Sequence, residues 1–112
     1  MLLRELLALH GVSGNEGEVR SFILEQAKDL ADRVEVDALG SVLAWKDAKV
    51  PNAKTVMLAA HMDEVGFIVQ YVREDGLLRY LPVGGIDPAV CVSKRVLVGK
   101  DKVLGVLGSK AV

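Results

Sequence analysis

The chain has 112 residues, 51% of them hydrophobic and 26% charged, enough for about one globular domain with a core of its own. Fourteen basic residues against fifteen acidic ones leave a net charge of −1 and no basic block, so nucleic acid is not an expected partner. A single cysteine, Cys91, excludes an internal disulfide and any thiolate cluster built from this chain alone, and it favours a cytoplasmic location.

The opening MLLRELLALHGVSG has Arg4 and Glu5 interrupting its apolar residues. It therefore predicts neither a signal peptide nor a membrane partner. Leu2, Leu3, Leu6, Leu7 and Leu9 fall on one helical stripe and predict a short amphipathic helix that stops at His10-Gly11, where glycine can take the left-handed conformation. GVSGNEGE reads as a turn, with Ser13 or Asn15 available to cap a second helix and Glu16 and Glu18 near its positive end. Val19, Phe22, Ile23, Ala27 and Leu30 recur at helical spacing and extend that helix over about residues 16–31.

From Arg33 the period changes to two, which predicts two strands joined through Gly40, with Trp45 as a packing residue of the hairpin. KDAKVPNAK is a polar surface turn. TVMLAAH then reads as an interior strand covered on both faces, and FIVQYV as another strand. Beyond it come a turn at Glu74-Asp75-Gly76, a strand over Leu77–Val83, a break at Gly84-Gly85 and short antiparallel pieces, with no helix signal after residue 32. The change of texture near Val72 predicts two domains, 1–71 and 72–112.

The chemistry concentrates in Thr55–Val72, the most apolar stretch, because it carries His61, Asp63 and Glu64 in its middle. An unpaired buried charge costs several kcal/mol, so these groups need partners. In an extended segment positions i and i+2 share a face, so His61 and Asp63 could address one pocket at the carboxyl end of a strand. A neutral imidazole is a common metal ligand and takes a carboxylate to fix its tautomer. Taken alone, His-x-Asp is also what a hydrogen-bonded structural pair looks like.

Other residues invite plainer readings. His10 is accounted for by a helix carboxyl terminus, Glu64 by a salt bridge or solvent, and Cys91 by a small buried side chain. Gly84-Gly85-Ile86-Asp87-Pro88 lacks Walker spacing and a following helix, so it reads as a tight turn.

AHMDEVGFIV closely resembles the first metal-site motif of the M42 family of metal-dependent aminopeptidases. LLRELLALHGVSGNEGEVR is similar to that family's amino-terminal helices and glycine turn, VDALGSVLA to its following hairpin, and VGGIDPAV with KVLGVLGSKAV to the start of its inserted domain. Ile86 departs from the pattern, which usually has an aromatic residue there.

The resemblance implies an α/β fold: the amino-terminal part of a zinc-peptidase-like catalytic domain, followed by the start of an inserted small β-barrel. It implies that His61 is a ligand of one of two adjacent divalent ions, zinc or cobalt, and that Asp63 is the catalytic acid that orients it. Two such ions suit hydrolysis of amino-terminal residues from peptide substrates. The family's remaining ligands and its general base come from sequence beyond the insertion, so this chain is expected to be a fragment that cannot complete the centre and is inactive alone. The family further implies a cytoplasmic homo-oligomer. Two rivals stand beside it: a non-catalytic assembly module, and a polysaccharide hydrolase, since some relatives carry a cellulase name. The latter chemistry needs two carboxyl groups and no metal.

Overall fold

A computed structural model describes residues 2–109. They form two compact units that divide between Glu64 and Val65. The division falls before the change of texture near Val72, because the strand Gly66–Val72 pairs along its length within the second unit. No helix among the described residues is long and apolar enough to cross a membrane.

The first unit opens with α1, Leu2–Leu6, shorter than the leucine stripe predicts. The chain continues to Leu9 in turns held by Ala8 N–H to Glu5 O and Leu9 N–H to Leu6 O, both 3.1 Å. His10 thus lies past the helix end, and its amide donates to a Glu18 carboxylate oxygen at 3.2 Å. Helix α2 spans Gly17–Ala27 and buries Val19, the anchor of this unit at 6% exposure. No side chain caps it; Glu16 holds the N-cap position and its carboxylate accepts from the Gly14 amide instead. The expected continuation to Ala31 becomes tight turns, and Leu30 stays 72% exposed with no surface to cover it.

Strands β1, Arg33–Val36, and β2, Val42–Trp45, pair antiparallel with Arg33 opposite Trp45. The Arg33 guanidinium lies 3.8 Å from the indole centroid, so Trp45 packs within the hairpin as a cation–π partner. The connecting turn is built on Asp37. Its carboxylate accepts from the amides of Leu39 at 2.9 Å and Ser41 at 2.8 Å, while Gly40 takes a φ of 91°.

The apolar run before His61 departs from expectation. TVMLAAH forms no ladder, and Val56, Met57 and Leu58 are 78%, 85% and 93% exposed. A strand needs neighbours to satisfy its amides and carbonyls. The β1–β2 hairpin pairs only with itself, so the described residues supply none.

In the second unit β3, Gly66–Val72, pairs antiparallel with β4, Leu78–Val83, with a register shift between Val69 and Tyr71. Phe67 and Tyr80 meet edge to face across this hairpin at 4.8 Å. Gly84, at φ 85°, makes the expected turn and lies so close to Val65 that a Cβ there would come within 2.8 Å of a Val65 methyl. A short 3₁₀ turn forms at Pro88–Val90, where the sequence shows no helical periodicity; Asp87 caps it by accepting from the Ala89 amide at 2.9 Å, and Pro88 starts it. Cys91 is half-buried, its thiol directed to the Asp87 carbonyl at 3.3 Å. Strands β5, Arg95–Val98, and β6, Val103–Val106, form a third hairpin, and Leu107 after it is the buried residue of this unit among the described residues. The architecture is mixed helix and sheet, with three two-stranded ladders and no closed barrel among the described residues.

The Asp37 turn carries a pH signature. The Ser41 amide leads the donors that hold its carboxyl below the ordinary aspartate range. A depressed carboxylate contributes stability in full above its unfolded value, and loses it as pH falls through the folded one. Acid titration followed by amide NMR should therefore move Leu39 and Ser41 together, below the range where free aspartates titrate. Movement at the free-aspartate position would refute this.

Candidate functional site

His61, Met62, Asp63 and Glu64 end the first unit, and they owe their position to the loop that precedes α2. The Glu64 amide donates to Gly11 O at 2.7 Å, the Ser13 amide donates to Glu64 O at 3.4 Å, and Val12 and Glu64 form an isolated parallel bridge. Gly11 is buried but has no positive φ, so its left-handed, helix-closing role is not observed. Close approach is the reason for glycine here: a Cβ would sit 2.8 Å from a Val19 methyl and 3.2 Å from Met62 O.

Within this frame His61 Nδ1 lies 2.9 Å from the backbone carbonyl of Asp63, two residues on, and 3.0 Å from Asp63 Oδ1. Both are acceptors, so Nδ1 carries the hydrogen and, in the neutral ring, Nε2 keeps its lone pair. The imidazole is 85% exposed, against 41% for the Asp63 side chain. Nε2 has no hydrogen-bond partner among the described residues. The ring borders an open concavity of about 430 Å³, together with Glu16, Ile23 and Ser41, and a smaller one of about 190 Å³ toward Leu6, Leu9 and Val19.

Asp63 is held from its other side. Ser13 Oγ donates to Asp63 Oδ2 at 2.5 Å, and this contact, ahead of the one to His61, keeps the carboxyl below the ordinary carboxylate range. Ionised, it is the acceptor that the Nδ1 hydrogen requires. Sequence reasoning offered Ser13 as a helix cap. The structure uses the hydroxyl on an acid 50 residues away, a pairing that no local spacing encodes. Glu64 contributes only its backbone to these contacts.

As a donor set the pair fits one share of a metal centre: one imidazole nitrogen, oriented by a carboxylate behind it. Among the described residues no three His, Cys, Asp or Glu side chains converge, so these side chains do not surround an ion by themselves.

A histidine whose Nδ1–H is taken by a carboxylate while Nε2 is left open is the arrangement that metal-ligating histidines commonly have. Residues 40–112 match the family model described as M42 glutamyl aminopeptidase, and the chain belongs to that family. It is 40% identical over 93 residues to a glutamyl aminopeptidase of Lactococcus lactis subsp. cremoris, covering 83% of this chain and 26% of that protein. Among solved structures it is similar to one named an endoglucanase from Thermotoga maritima, with a TM-score of 0.88 and 42% identity over 96% of this chain and 34% of that one. It is also similar to a TET aminopeptidase from a marine sediment archaeon of the Thaumarchaeota, with a TM-score of 0.84 and 37% identity over 98% of this chain and 31% of that one. The chain thus spans about a quarter to a third of the length of the proteins it matches.

The tight packing at Gly11 makes a measurable claim. Gly11→Ala must displace either Val19 or the Met62 carbonyl, and overpacking of this kind costs about 1–3 kcal/mol. The expected outcome is faster hydrogen exchange at the Glu64 amide than in the parent chain. Unchanged protection there would mean that the loop does not hold the His61 segment.

Proposed function

We propose that this chain supplies part of the catalytic domain of a two-metal aminopeptidase, and that its share of the metal centre is His61, with Asp63 as the acid that orients it. The observation that carries the reading is the His61 ring itself: exposed, fixed through Nδ1 by Asp63, and presenting Nε2 to open space. Membership of the M42 family supports peptides as the substrate class. Two divalent ions, zinc or cobalt, when bound, supply Lewis-acid activation of water and of the scissile carbonyl. This chain's own contribution is narrower. His61 offers a neutral nitrogen in a set direction, and Asp63 stays ionised to keep it so. The other ligands and the general base belong to sequence that the longer relatives have in addition. In this reading residues 72–112 begin an inserted small β-barrel, and residues 1–71 belong to the catalytic domain.

The test uses this chain and a longer protein that carries it. With zinc or cobalt added, the chain alone is expected to leave aminoacyl chromogenic substrates unhydrolysed. The longer protein should hydrolyse them, lose that activity on chelation, and lose about 10–100-fold in metal affinity on Asp63→Asn. Turnover by the homogeneous chain would overturn the partial-centre reading, and full activity after chelation would overturn the metal. The endoglucanase name of one relative makes polysaccharide the comparison substrate; chelation-resistant glucan hydrolysis would favour it.

We also propose a cytoplasmic homo-oligomer. It is supported by two-stranded ladders with unpaired edges and by exposed Val103, Leu104 and Val106, features that invite association. Sedimentation of the chain should show mass rising with concentration. A monomer at every concentration counts against it.

A further inference from the structure

We propose that Ser13 is a positioning residue for the His61 imidazole: its hydroxyl fixes one carboxylate oxygen of Asp63 so that the other meets Nδ1. The inference rests on reading Asp63 as the acid that orients His61, and extends it to a residue that no local motif joins to the pair.

The geometry runs in one line. Ser13 Oγ donates to Oδ2 at 2.5 Å, and Oδ1 of the same carboxylate accepts from His61 Nδ1 at 3.0 Å. A carboxylate on a single short side chain can rotate about its terminal bond, a torsion with broad, roughly two-fold preferences. Contact at one oxygen alone leaves that rotation open. Donors on both oxygens fix the plane, and the plane decides whether Oδ1 faces the ring. The donor on the far side is itself anchored, because the backbone of Ser13 is tied to Glu64, the residue after Asp63, while Gly11 lies against Met62. The hydroxyl therefore comes from a rigid neighbour and not from a free loop.

The structure also explains why the hydroxyl is available. Ser13 lies three residues before the N-cap of α2, outside the position from which a serine side chain caps a helix. Here the N-cap is Glu16 with no side-chain cap bond, and the Gly14 amide is taken by the Glu16 carboxylate. The competing local use of Ser13 is absent, and its hydroxyl is left for Asp63.

The ring nitrogens report the outcome directly. In the metal-free chain, above the pH where imidazole is protonated, ¹⁵N NMR distinguishes His61 with hydrogen on Nδ1 from His61 with hydrogen on Nε2. The parent chain should favour Nδ1–H. Ser13→Ala should lower that preference by about two- to tenfold, the span expected of one hydrogen bond. Ser13→Thr and Ser13→Val are nearly equal in shape and differ in the hydroxyl; Thr should retain the preference and Val lose it, which separates hydrogen bonding from packing or folding. Equal behaviour of Thr and Val overturns the proposal. If Ser13→Ala leaves the ratio unchanged while Asp63→Asn shifts it, Ser13 is discarded and Asp63 stands. If neither shifts it, the orienting role of the Asp63 carboxylate falls as well, and the Asp63 carbonyl, 2.9 Å from Nδ1, holds the ring instead.

Discussion

The first unit depends on a backbone clamp: Gly11 and Ser13 bond to Glu64, and the bulk that would prevent it is missing at Gly11 alone. Val19 lies under the clamp from α2 and is the buried side chain of that unit among the described residues. Packing, loop and site are therefore one arrangement. A helix brings Val19 to the glycine, the glycine admits the Met62 carbonyl, and the register that results places Asp63 between Ser13 and His61.

Legibility in the sequence follows the range of the interactions. The hairpins β1–β2 and β3–β4 are readable because alternation and their turns, at Gly40 and at Glu74-Asp75-Gly76, lie within a few residues of each other. The 3₁₀ turn at Pro88–Val90 escaped because one turn has no periodicity to detect, although Asp87-Pro88 is a start signal once a helix is suspected. The His61–Asp63 contact is local and follows from i, i+2 spacing. Ser13 was beyond reach: its neighbours argue for a cap, and only the fold brings it to Asp63.

The interior-strand reading of TVMLAAH illustrates a different limit. An unbroken apolar run states what a segment prefers to bury, but a strand is a relation between neighbours, and Val56–Leu58 have none among the described residues. The chain's match to only about a third of its structural relatives' length accords with such a segment being provided for elsewhere in a longer protein. The M42 family assignment and the exposed run are therefore compatible facts.

The clamp closes a span of 50 residues between Ser13 and Asp63. Joining ends that far apart costs about 3.5 kcal/mol of chain entropy, taking three halves of RT times the logarithm of the span. The three hydrogen bonds across it return about 0.5–1.5 kcal/mol each, a sum of similar size. The hydrogen bonds and the closure cost are thus of one order, and the Val19 packing under Gly11 adds to the side of closure. The orientation of the ring is therefore tied to this long-range closure, while the β1–β2 hairpin is closed by its own short turn.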